Sequence, residues 1–282
     1  MMAAEMTSRE RILAALRHEE PDRVPISPRA SKFLGRYYRD GSGWERNLRA
    51  IEEFGWDYLM SAGTPVPNFI GYCPLRGYEI LEPEVRVELD VQEDDRMHTV
   101  DRTFHTPAGP LHDVVMVPKP RGEFGFSPTP RHVEPLFKSR EDLPRLKYLF
   151  FKPEKVKWDK IHRVKEIIDG KGGIATWVVR GPLTRTGADA WEMSEMMLAY
   201  HDDRQLFREY VATFFEQTMV ETKAVLEQGA ELLDCTWYYC SISTGWSPEI
   251  YREEFAPLIK KQAELAHSYD AIYMLYDDGK VM

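Results

Sequence analysis

Residues 229–282 read GAELLDCTWYYCSISTGWSPEIYREEFAPLIKKQAELAHSYDAIYMLYDDGKVM. An apolar run at 232–237 enters an irregular loop. Ser247-Pro248-Glu249 opens a helix, and a second apolar run at 271–276 ends in Asp277-Asp278-Gly279-Lys280. Strand, helix and strand make a β-α-β unit. In parallel α/β folds, ligands bind at the rim beyond the carboxyl ends of the strands. This unit sends Asp234, Tyr238, Tyr239, Tyr276, Asp277 and Asp278 to that rim. Parallel strands need covering helices, and the sequence ends just past its most polar strand end. The expectation is a domain truncated at its C-terminus, part of a longer enzyme.

Working back from this unit, β-branched residues at 174–179 mark another strand, and Val24-Pro25-Ile26 and residues 56–60 mark two more. Helical spacing covers 44–54, 157–168, 188–200 and 203–228. Thr7-Ser8-Arg9-Glu10 is a capping box that opens an N-terminal helix. Residues 79–117 change character. Val85, Val87, Leu89 and Val91 alternate with acids and arginine, and Pro107-Ala108-Gly109 signals a turn. This reads as an antiparallel hairpin inserted into an α/β frame, with residues 118–138 irregular. Five strands, near 24, 57, 176, 233 and 273, then belong to one parallel sheet. A closed (β/α)8 TIM-barrel-like fold needs about three more. The expectation is a single incomplete barrel domain over residues 1–282.

Composition narrows the function classes. A net charge of −9 argues against a nucleic-acid surface. No segment reaches the roughly 18 apolar residues of a membrane span, and the N-terminus has no apolar leader, so the expected location is cytoplasmic. Cys73, Cys235 and Cys240 are three cysteines without CxxC spacing, which suits a reducing compartment.

Several phrases together resemble the uroporphyrinogen decarboxylase superfamily. They are TSRERILAALRHEEPDRVPI (7–26), FGWDYL (54–59), TFHTPAGPLHDVV (103–115), SREDLPRLKYLF (139–150), VVRGPL (178–183) and SPEIYREEFAPLIKKQAELAHSY (247–269). They run in family order over nearly the whole chain. The resemblance implies a distorted (β/α)8 barrel. The superfamily holds the decarboxylases of haem synthesis and the methyltransferases that use corrinoid proteins. The decarboxylases carry an arginine-rich loop ending in Gly-Arg-Tyr, matched here by Arg29 and Gly35-Arg36-Tyr37 with longer spacing. They also use an aspartate after the second strand, but no acid occurs from Tyr58 through Tyr78, and their conserved tyrosine falls at Ala188. The corrinoid methyltransferases place His-x-Cys, a zinc-binding pair, where this chain has Tyr276-Asp277-Asp278. That zinc site is not preserved, and the residues name no other metal or cofactor.

The resulting expectation is an enzyme of this superfamily acting on an anionic or ring-bearing small molecule. The alternatives are a corrinoid-dependent methyltransferase, with a corrinoid protein as partner, and a non-catalytic ligand-binding barrel. A homodimer is open. Asp277 and Asp278 are the catalytic candidates, a carboxylate pair on a strand-end turn. Arg29, Arg36 and Arg180 are anion-binding candidates. Tyr238, Tyr239 and Tyr276 offer aromatic faces. Asp234 lies within its strand; facing inward and buried, it would need a partner, with Arg29 or Arg180 in reach.

Overall fold

The computed structural model describes residues 5–63, 68–71, 74–119, 129–150, 152–237 and 239–276, apart from the side chains at 31, 32, 185 and 186. Helices α1 (Ser8–Leu16), α2 (Ser31–Tyr37) and α3 (Gly43–Phe54) precede β1 (Leu59–Gly63). Strands β2 (Arg86–Glu93), β3 (Met97–Thr106), β4 (Gly109–Pro118) and β5 (Arg131–Glu134) follow. Helices α4 (Asp142–Leu146) and α5 (Asp159–Gly170) lead into β6 (Ile174–Arg180). Helices α6 (Arg185–Ala190), α7 (Met193–Asp202) and α8 (Arg204–Glu227) lead to β7 (Leu232–Thr236). Helices α9 (Pro248–Ile250) and α10 (Ala256–His267), joined by a π-helical turn, lead to β8 (Ile272–Tyr276). The turn suits Pro257, which cannot donate an α-helical hydrogen bond.

Two sheets result. One is parallel, in the order β1-β6-β7-β8; the other is antiparallel, in the order β2-β3-β4-β5. Among the described residues the parallel sheet has four strands and is open, so a closed barrel is not seen. The expected strand at Val24-Pro25-Ile26 is absent. The segment lies beside the approach to β1, where the Asp57 amide donates to the Ile26 carbonyl at 2.8 Å. Pro25 has no amide to continue a ladder, and Val24 is 78% exposed. The strand expected at 56–60 begins at Leu59 instead. The inserted hairpin is larger than expected, because β5 extends it through Glu134 by pairing with β4.

The period of two along each parallel strand sorts the core. Ala175, Trp177, Val179, Leu233 and Cys235 join the large core built with α5, α8 and α10. Ile174 and Leu232 lie in a second cluster with Ile12 of α1, flanked by Leu59, Ile272 and Met274. Helix α1 therefore seals the amino-terminal end of the sheet's other face. Its capping box is formed, with the Thr7 amide donating to Glu10 Oε2 at 2.8 Å. Gly173, just before β6, has a packing reason. A Cβ there would lie 2.5 Å from the Tyr58 carbonyl oxygen.

The junction between α1 and β1 is held by Asp57, which is fully buried. It accepts from Arg11 Nη1 at 2.5 Å, Arg23 Nη1 at 2.8 Å, Ser8 Oγ at 3.1 Å and the Ile26 amide at 2.8 Å. Burial alone would raise its pKa, but the Ile26 amide, Arg11, Arg23 and Ser8 together bring it below the ordinary 3.8. Its contribution to stability is therefore complete above that value and lost as pH falls below it. Arg11, itself 2% exposed, depends on this partner. Asp57→Asn should cost about 3–5 kcal/mol in urea unfolding at neutral pH, with the deficit shrinking on acidification below about pH 3.8. A neutral substitution, or a deficit that does not change with pH, would contradict this role.

Candidate functional site

Above the layer sealed by α1, the same sheet face turns polar. Thr176 and Val178 of β6, Asp234 of β7 and Met274 of β8 line a cavity of about 380 Å³. The loop Ser27-Pro28-Arg29-Ala30 and Trp56 supply the opposite wall. The parallel register explains the convergence. Val178 pairs with Asp234, and Asp234 pairs with Met274, so three adjacent strands present neighbouring side chains at one level.

Asp234 is the centre of this cavity. It is 4% exposed. Its Oδ2 accepts from Arg29 Nη2 at 2.5 Å, and its Oδ1 is buried without a hydrogen-bond partner among the described residues. Burial pushes its pKa above the ordinary 3.8, against the opposing pull of the Arg29 charge and hydrogen bond. The Arg29 guanidinium carbon sits 4.2 Å from the Tyr276 ring centroid, a cation–π contact. The Arg29 side chain is 58% exposed, whereas that of Asp234 is 6% exposed. The cavity thus has a buried acid at its floor and a solvated cation at its mouth.

Of the residues singled out from sequence, Arg29 and Asp234 line this cavity, and Tyr276 joins them through its contact with Arg29. Arg36 lies exposed on α2 and does not line the cavity. Arg180 leaves the group: its Nη2 reaches Glu221 Oε1 of α8 at 3.1 Å. It borders a second cavity of about 50 Å³, among residues such as Phe69, Ile80, Phe214 and Thr218. That space is too small for most ligands, and an ion pair already occupies its polar side. Tyr239 packs against the large core and accepts from Trp246 Nε1 through its carbonyl at 2.8 Å. Tyr238, Asp277 and Asp278 lie outside the described residues. Thr176, Ser27 and Met274 were missed, although counting back by two from Tyr276 along β8 finds Met274.

Among the described residues, the cysteines form no metal site. Cys235 faces the helices, and burial raises its thiol pKa well above the ordinary value. Cys240 is also buried, and Cys73 lies outside the described residues. Among the described residues, no group of three His, Cys, Asp or Glu side chains converges to hold a metal. Near Cys235, Gln262 Oε1 accepts from Trp237 Nε1 at 3.0 Å and from the Tyr273 hydroxyl at 2.9 Å, while Gln262 Nε2 donates to Thr222 at 2.9 Å. This buried network ties β7 and β8 to α8 and α10. No described helix is long and apolar enough to cross a membrane.

No protein-family model matches the chain, and no curated protein matches it. A solved structure does: a methyltransferase from Methanosarcina mazei superposes with a TM-score of 0.57 at 16% identity, covering 98% of this chain and 71% of its own. At that identity the likeness is one of fold.

The raised pKa of Asp234 sets the sign of its effect on stability. The folded state holds this proton more tightly than the unfolded chain, so the group's contribution is full below pH 3.8 and declines as pH rises through the folded value. Asp234→Asn should therefore raise the thermal midpoint at neutral pH, since the solvated Arg29 can rehydrate. A lowered midpoint would contradict this reading of the site.

Proposed function

We propose that this chain is an enzyme of methyltransferase type, acting on a small polar molecule held against Asp234. We further infer that its parallel sheet belongs to an incomplete (β/α)8-type frame, as the sequence resemblance implies. The observation that carries the functional reading is the cavity itself: a buried carboxyl with one unmet oxygen and a raised pKa, on the face of a parallel sheet. A buried acid in a cleft whose pKa is moved by desolvation and by a specific charge partner is a candidate functional group. The fold likeness to a methyltransferase favours methyl transfer over decarboxylation.

The chemistry follows from where the electrons go. When a methyl group is transferred to a nucleophile, the atom it leaves keeps the bonding pair. That atom departs most readily as a neutral group bearing a proton. Asp234 Oδ1 can accept a hydrogen bond from an N–H or O–H on the leaving heteroatom, so the departing group keeps that proton. Arg29 bonds Oδ2, which leaves Oδ1 as the open oxygen. The apolar walls at Val178 and Met274 exclude water from the methyl carbon.

Decarboxylation of uroporphyrinogen finds little support. That substrate is large and carries many carboxylates, whereas the cavity is about 380 Å³ and Arg29 is its one lining cation among the described residues. A cavity of this size takes a drug-sized molecule and does not enclose a corrin ring, so a corrinoid acceptor would have to present its metal from outside the cavity mouth, and no residue is assigned to hold it. The donor set likewise does not fit the thiolate zinc site of the corrinoid methyltransferases, and no step is routed through zinc.

The test is a panel of methyl ethers and methylamines, with free cob(I)alamin as acceptor and its visible spectrum as the readout. Methyl transfer should occur, and Asp234→Asn should slow it by about 10²–10⁴-fold, while Cys235→Ser leaves it within about threefold. Release of carbon dioxide from uroporphyrinogen without any methyl transfer would overturn the proposal.

A further inference from the structure

The charges around Asp234 say more about the ligand than its size does. The cavity contains two carboxylates, Asp57 and Asp234, and among the described residues one cation, Arg29. Asp57 is fully engaged with Arg11, Arg23, Ser8 and the Ile26 amide. Arg29 is engaged with Asp234. What remains is Oδ1 of Asp234, a buried acceptor without a donor. A buried acceptor of this kind costs free energy unless a ligand supplies an N–H or O–H.

The structure also shows what kind of group the site holds well. The Arg29 guanidinium touches both the Asp234 carboxylate and the face of Tyr276. A carboxylate and an aromatic face that meet at one cation form an arrangement that recognises ammonium groups. Arg29 comes from a loop, and its side chain is more than half exposed, so it can swing from Asp234 towards solvent. An incoming carboxylate would face the opposite situation. It would have to take Arg29 from Asp234, leaving two negative groups to share one arginine.

We propose that the substrate is a small methylated amine in its protonated form, an ammonium that keeps at least one N–H. Its N–H donates to Asp234 Oδ1, its charge lies over or beside Tyr276, and Arg29 acts as a stand-in cation that moves aside as it binds. This deepens the methyltransferase reading and rests on it for the fate of the methyl group, but not for binding. It reverses the anion-clamp expectation for Arg29.

Titration calorimetry on the full chain tests the inference with matched probes. Protonated 2-(dimethylamino)ethanol is a tertiary ammonium. 3-Methylbutan-1-ol is its neutral isostere, 3-methylbutanoate is an anion of similar shape, and choline is a quaternary analogue without an N–H. The tertiary ammonium should bind at least about tenfold more tightly than each of the others, a difference of about 1.4 kcal/mol. Asp234→Asn and Tyr276→Leu should each weaken its binding by tenfold or more. Arg29→Gln should leave that binding unchanged or tighten it, because a competing cation has been removed. Circular dichroism of each variant confirms that it is folded.

The proposal is overturned if the alcohol or the carboxylate binds as tightly as the amine, if Arg29→Gln abolishes amine binding, or if the folded protein binds none of the probes. Amine binding without methyl transfer to cob(I)alamin would leave this inference standing and remove the methyltransferase reading. Methyl transfer from a neutral ether, with no amine binding, would do the reverse.

Discussion

A carboxylate removed from water needs donors for its oxygens, and the way this chain meets that need separates its scaffold from its site. Asp113 in the antiparallel sheet receives Arg102 Nε at 2.8 Å and Arg102 Nη2 at 2.5 Å, and His132 lies 3.1 Å away. Asp57 is supplied by two arginines, a serine and an amide. Both have pKa values held below the ordinary range despite burial. Asp234 has one arginine donor and one oxygen unmet, and its pKa moves the other way. Incomplete coordination of a buried acid costs stability, and such a cost is usually found where a ligand completes the set.

The placement of that acid follows from sheet geometry. Helices cover one face of the parallel sheet, and α1 covers the start of the other. The middle of the second face is left to Thr176, Val178, Asp234 and Met274 and to the Arg29 loop. Asp57 sets the stage indirectly, because it fixes Ile26 beside β1 and so fixes where the loop at 27–30 begins. Gly181, just after β6, serves the same end. A Cβ there would meet the Trp237 ring at 2.6 Å, so glycine lets the chain turn away closely under β7's exit.

Much of this was legible in the sequence, for identifiable reasons. The β-α-β unit at 229–276 reads cleanly because apolar runs and the Ser247-Pro248 helix start are local signals. Asp234 could be flagged because an acid inside an apolar run must find a partner. Arg29 and Arg180 were equal candidates, since the choice depends on strand tilt and on Glu221 of α8, which sequence spacing does not encode. The strand expected at Val24 failed because apolar composition outweighed three nearby prolines, Pro21, Pro25 and Pro28. Strand β5 was hidden by the proline-rich approach to it. Asp57 drew no attention because FGWDYL reads as one strand. The signal was Arg11, a cation on the apolar side of the first helix that has to find a buried acid.

The central claim is that the Arg29–Asp234 pair serves a ligand and does little to hold the fold. A double-mutant cycle with Arg29→Gln, Asp234→Asn and the double variant, read by urea unfolding at neutral pH, measures the coupling directly. The account predicts a coupling of about 1 kcal/mol or less, as for a solvated ion pair. A coupling of about 3 kcal/mol or more would mark a structural bridge and contradict the account.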